Sequence, residues 1–191
     1  MLKSEIVYRE LLESPDLGLT QLGLAKRLGF SLSTVNNALK PLVAMGAVKV
    51  LPRGLRVTDR KKLLLYWASV RDMEKDVVYS TRAEGLPSEI EKCMPADVIY
   101  TAYSAYKFRF GTVPADYSEV YVYSEALEEI RKRFPAQHGP QNLFVLRMDR
   151  RLAEISKENI APNSQVFVDL WNIREWYASE YVKDLGARIY G

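Results

Sequence analysis

The stretch Gly29-Phe30-Ser31-Leu32-Ser33-Thr34-Val35-Asn36-Asn37-Ala38-Leu39-Lys40 spells a tight turn and then a helix with two unlike faces. Glycine is the least costly residue for the left-handed conformation that ends a helix, so Gly29 closes whatever precedes it. Ser31 then caps the next helix. Val35, Ala38, Leu39, Leu42 and Val43 fall at i, i+3, i+4, i+7 and i+8, a core-facing stripe. The outer side carries Ser33, Thr34, Asn36, Asn37 and Lys40, small polar groups that a core helix does not need.

Upstream, Leu2, Ile6, Leu11 and Leu12 predict a first amphipathic helix closed at Ser14-Pro15, with Asp16-Leu17-Gly18 as a turn. Thr20 caps a short helix from Gln21 to Leu28. Downstream, Pro41 removes one helical hydrogen bond and predicts a bend beyond the polar segment. Met45-Gly46 ends the helix. Ala47 to Leu51 and Leu55 to Thr58 then read as two strands joined by Pro52-Arg53-Gly54.

The polar types are those that read nucleic acid. Asn pairs bidentately with adenine, Ser and Thr reach bases or phosphates, and Lys reaches phosphate or guanine. On the hairpin, Lys49, Arg53 and Arg56 suit phosphates or a narrow minor groove. The order helix-helix-turn-helix-hairpin, carried by LAKRLGFSLSTVNNALKPL and MGAVKV, resembles the winged helix-turn-helix domains of prokaryotic regulators. The expected DNA-binding residues are therefore Ser31, Ser33, Thr34, Asn36, Asn37, Lys40, Lys49, Arg53 and Arg56. The alternative is a small helical module that binds protein.

Charge agrees with a DNA-facing end. Residues 1–75 hold 13 Lys and Arg against 7 Asp and Glu, whereas residues 76–191 hold 14 against 17. One cysteine, Cys93, excludes an internal disulfide, and one histidine, His138, leaves little for a metal centre or Cys/His catalysis. No cofactor is expected. No apolar run reaches the roughly 20 residues of a bilayer span, and the N-terminus lacks a signal-peptide layout, so the expected location is the cytoplasm, away from membranes.

The domains expected are 1–58, a winged helix-turn-helix; 59–76, a connecting helix; and 77–191, an α/β domain. The fold class is α+β, with a C-terminal sheet of about four strands. The connecting helix, with Leu63, Leu64, Leu65, Tyr66 and Trp67, is apolar over more than one face and is expected to pack against both domains or a second chain; Arg60 to Lys62 suit either phosphates or solvent. In the body, Val77-Val78-Tyr79, Glu119 to Tyr123, Asn142 to Arg147 and Gln165 to Leu170 read as strands. Pro87 to Cys93, Ala96 to Phe110, Glu125 to Phe134 and Arg174 to Tyr190 read as helices. Asp149 and Asp169, near predicted strand ends, are the one carboxylate pair available to an enzyme, for which the alternative reading is a nucleotidyltransferase-like one. Without a phosphate loop or metal motif, the expectation is no catalysis. Six tyrosines between residues 100 and 123 suit either a core or an interface for a partner or a second copy.

The strings AYSAYKFRFG, EVYVY and QVFVDLWNIREWYASEYVKDL resemble the C-terminal domain of AbiEi-type antitoxins, winged-helix regulators of type IV toxin–antitoxin systems. The resemblance implies a head that represses its own operon at inverted repeats and a body that neutralises the effect of a nucleotidyltransferase toxin without a stable complex. It places Ser33, Thr34, Asn36, Asn37 and Lys40 at recognition-helix positions and Arg53 at the wing tip.

Overall fold

A computed structural model describes residues 1–14 and 20–190. The expected stop at Pro15 and turn at Asp16-Leu17-Gly18 lie outside the described residues. The chain forms two compact units, Met1–Arg71 and Asp72–Ile189. Together they make a mixed fold: helices and a hairpin first, then helices around a four-stranded sheet.

The first unit contains α1 (Lys3–Glu13), α2 (Gln21–Leu28), α3 (Leu32–Ala44), β1 (Val48–Leu51), β2 (Gly54–Val57) and α4 (Arg60–Val70). Helices α1 and α2 pack on α3, and α4 packs on α1. Leu11, Leu24, Val35, Leu39, Leu42 and Trp67 are buried at their junction. On α1 the buried face runs through Val7, Tyr8, Leu11 and Leu12, whereas Leu2 stands 64% exposed at the cap and Ile6 is half-buried.

The same device ends α2 and α3. Gly29 lies at φ 65°, with Phe30 N–H donating to Ala25 O at 2.9 Å and Gly29 N–H to Lys26 O at 3.3 Å. Gly46 lies at φ 76°, with Ala47 N–H donating to Leu42 O at 2.9 Å and Gly46 N–H to Val43 O at 3.0 Å. These paired bonds satisfy carbonyls that a helix end otherwise leaves open; space beside each glycine is open, but the left-handed φ would strain any residue with a Cβ. Helix α3 continues through Pro41 as far as Ala44. Val43, expected in the core stripe, is 41% exposed. Its position drifts away from Val35 and Leu42 because the turn is 3.6 residues, and the stripe is filled by Val35, Ala38, Leu39 and Leu42.

The second unit contains β3 (Val77–Thr81), α5 (Pro87–Lys92), β4 (Ile99–Tyr100), α6 (Ala102–Phe110), β5 (Val120–Ser124), α7 (Leu127–Arg133), β6 (Leu143–Arg147), α8 (Arg150–Ile155), α9 (Asn163–Asn172) and α10 (Ala178–Tyr190). The sheet order is β3-β6-β5-β4. β5 and β6 are parallel, joined across α7, and the outer pairs are antiparallel. One face packs Val120, Val122, Leu143 and Val145 against Ile90, Ile130 and Phe134. The other face carries Tyr121, Tyr123, Phe144 and Leu146, with α6 against β5 and α9 against α6.

Three expectations need correction. Gln165 to Leu170, expected as a strand, is the middle of α9. Every residue from Ser164 to Leu170 is buried, so apolar periodicity cannot separate strand from helix there, and packing overrides the β-branched composition. The fourth strand is instead Ile99–Tyr100, so Ala96 to Phe110 divides into β4 and α6 around Thr101. Finally, α10 starts at Ala178 rather than Arg174.

Candidate nucleic-acid interface

Helix α3 presents its polar residues unevenly. Ser33, Asn37 and Lys40 are exposed and fall at i, i+4 and i+7, one continuous ridge opposite the buried stripe. Ser31 is exposed, but its hydroxyl is engaged as the cap. Oγ accepts from Thr34 N–H at 3.2 Å and lies 2.8 Å from Thr34 Oγ1 and 2.9 Å from Ser33 Oγ. Thr34 is half-buried. Asn36 is half-buried too, and its Oδ1 is buried with no hydrogen-bond partner. A bidentate contact with adenine needs both amide atoms outward, which favours Asn37 over Asn36 at this rotamer.

The hairpin is antiparallel, with Lys49 opposite Arg56 and Leu51 opposite Gly54, closed by Pro52-Arg53. Lys49, Arg53 and Arg56 are all exposed. Its base is pinned to the end of α3: Thr58 Oγ1 donates to Gly46 O at 2.7 Å, and Thr58 N–H to Ala47 O at 2.9 Å. The wing therefore starts from the residue that terminates the recognition-type helix, which fixes the two basic elements relative to each other.

Beneath the ridge, α1 and α4 are tied by a buried polar group. Glu5 Oε2 accepts from Trp67 Nε1 at 3.1 Å and from Arg71 at 2.7 Å, with the Glu5 and Arg71 side chains 3% and 0% exposed. Glu10, also buried, pairs with Arg27 of α2 at 3.1 Å. Burial raises the pKa of the Tyr8 phenol, and Tyr66, 5.7 Å away by ring centroid, adds to the shift. Arg60 donates to Leu12 O at 2.7 Å and Lys62 to Met45 O at 3.2 Å, so these two cations hold backbone carbonyls.

Some exposed residues escaped the pattern of polar types. Leu32 at the start of α3 is 42% exposed, and Leu22 of α2 is 51% exposed. Apolar side chains at the head of such a helix suit thymine methyl groups. Leu32 lies outside the core stripe, and that offset was the only signal in the sequence.

The aspartates singled out earlier have structural partners. Asp149 Oδ1 caps α8 by accepting from Leu152 N–H at 3.0 Å. Asp169 is fully buried in α9, where Oδ2 accepts from Thr101 Oγ1 and Tyr123 OH, each at 2.7 Å, and Oδ1 from Gln165 Nε2 at 3.0 Å. Among the described residues no group of three or more His, Cys, Asp or Glu is placed to hold a metal ion, and no helix is long and apolar enough to cross a membrane.

Residues 7–49 match a family described as winged helix-turn-helix DNA-binding. No curated protein matches the chain, and no solved structure does. The match runs from α1 through the ridge of α3 into β1, so the N-terminal unit carries a winged helix-turn-helix DNA-binding domain.

Proposed function

We propose that the protein is a sequence-specific transcriptional regulator of double-stranded DNA, acting in the cytoplasm without catalysis of its own. The observation that carries this reading is the exposed ridge Ser33–Asn37–Lys40, beside a wing whose Lys49, Arg53 and Arg56 are free of the core. In this reading α3 enters the major groove with Asn37 as the adenine reader. Lys40 and the wing meet phosphates, Leu32 meets a thymine methyl, and Ser31 and Thr34 shape the helix start. Asn36 is a secondary contact that acts only if its amide turns outward.

The finer reading is an autoregulating antitoxin of a type IV system, binding inverted repeats as a dimer and paired in function with a nucleotidyltransferase-type toxin. It is supported by the likeness of the strings in α6, β5 and α9–α10 to AbiEi-type antitoxins. A nucleotidyltransferase-type toxin gene found beside this one would support it, and loss of toxin protection on deleting this chain tests it.

For DNA reading, the full chain is used to select duplexes from a random pool. The expected result is an enriched motif for which Asn37→Ala loses about 1–3 kcal/mol, with Asn36→Ala losing less. No enrichment at low salt, or equal loss on unrelated duplexes, refutes sequence-specific reading.

A further inference from the structure

A cavity of about 160 Å³ opens at one end of the second face of the C-terminal sheet. Tyr121 of β5 and Phe144 of β6 are register partners and stack there, 4.6 Å between ring centroids and 8° between planes. They form one wall with Ile173, while Glu74, Arg174 and Glu175 stand at the mouth. Glu74 and Arg174 pair with each other at 2.8 Å, both well exposed. The Glu175 carboxylate has no ion-pair or hydrogen-bond partner among the described residues.

The phenols clustered about Tyr103, with Tyr121 among them, divide into two sorts. Tyr117 donates to Glu91, Tyr177 to Glu119, and Tyr181 to Ala115 O. The hydroxyl of Tyr121, a residue only 6% exposed, has no hydrogen-bond partner among the described residues. Neither does the fully buried hydroxyl of Tyr103, whose ring centroid lies 6.2 Å from that of Tyr121. Unlike the Tyr103 hydroxyl, that of Tyr121 is not fully buried, and Tyr121 lines the open space of the cavity. Burial, followed by the nearby Glu175 and Glu119 carboxylates, raises the Tyr121 pKa, so its oxygen remains that of a neutral phenol, able to accept as well as donate.

Two stacked rings, an unpartnered carboxylate and a phenol oxygen favour positive charge, since the ring faces are negative and both oxygens accept. Glu74 and Glu175 line the cavity beside one cation, Arg174, which Glu74 already pairs, so an anion is a poor fit. The volume is below the roughly 300 Å³ at which drug-sized pockets begin, so the occupant is small. We propose that this cavity binds a small organic cation, an alkylammonium or alkylguanidinium group, seated against the Tyr121–Phe144 rings with N–H donors on Tyr121 and Glu175. The proposal does not rest on DNA binding.

The test uses the full chain with n-butylammonium chloride, and with butyramide and butyrate as the neutral and anionic comparisons. Binding is followed by ring-labelled tyrosine NMR, with Tyr121→Phe assigning the resonance, and by thermal melting. The expected result is a saturable Tyr121 shift and a raised melting temperature with the cation alone. Tyr121→Phe and Glu175→Gln each weaken binding roughly tenfold. Tyr121→Phe is expected to melt no lower than wild type, because the lost hydroxyl has no partner. Equal response to butyramide, absence of saturation at millimolar cation, or unchanged affinity in Glu175→Gln overturns the proposal. Glu175 is exposed, so its variant decides the matter whether or not Tyr121→Phe folds.

Discussion

The head turns its small polar side chains outward on α3 and pairs its buried carboxylates, Glu5 with the buried Arg71 and Glu10 with the exposed Arg27. The body buries its polarity instead: Thr101, Tyr123, Gln165 and Asp169 form a closed network between α6, β5 and α9. A surface that meets a polyanion needs groups free to exchange water for phosphate or base, and the head supplies them. Asp169, by contrast, is stabilised where it is by donors from the protein, so its carboxylate is committed before any ligand arrives.

The largest effect should come from breaking the head's buried pair. Glu5→Ala leaves the Arg71 guanidinium buried without this carboxylate and is expected to cost about 3–5 kcal/mol in urea denaturation. The body separates its tyrosines by an intermediate effect. Tyr123→Phe takes a donor from Asp169 and an acceptor from Gln165, an expected loss of about 1–3 kcal/mol. Tyr103→Phe removes only an unpartnered hydroxyl and should leave stability within about 0.5 kcal/mol of wild type or raise it. Equal losses at the two sites would erase the distinction between engaged and idle phenols.

How much of this was legible differs between the units for the same reason. In the head, Gly29, Ser31, the α3 stripe and the strand pair around Arg53 each have a local cause, so position in the chain already implied position in space. Val43 failed because a stripe read at i+8 overstates the face that the core covers. In the body, α9 is buried from Ser164 to Leu170, and apolar periodicity carries no information inside a core. The spacing of Gln165 and Asp169, i and i+4, was a helical signal hidden beneath valines and a phenylalanine. The two-residue strand Ile99–Tyr100 exists through pairing with Val122 and Tyr123, a long-range cause that no local window contains. The ridge of α3 was visible as residue types; the inward turn of Asn36 Oδ1 was not, because it depends on a rotamer.

A smaller effect concerns the last helix. Arg188, and then Tyr106, hydrogen-bond to Asp184 and hold its pKa below the usual aspartate range. A depressed folded-state pKa means stability that is present above the unfolded value and lost as pH falls through the folded one. NMR titration should show Asp184 ionising at lower pH than a free aspartate, and Arg188→Ala should move it upward and reduce the acid sensitivity of α10. No change in that variant would assign the shift elsewhere.

The central claim, that the head alone meets DNA through α3 and the wing, is tested most directly by salt. Affinity of the full chain for its selected duplex is measured against ionic strength, beside a variant with Lys49, Arg53 and Arg56 all changed to Ala. The account predicts that wild-type affinity falls steeply with salt and that the variant's log–log slope is shallower by about one unit per cation removed. A slope unchanged by the triple substitution, or no salt-dependent binding by the wild type, would contradict it.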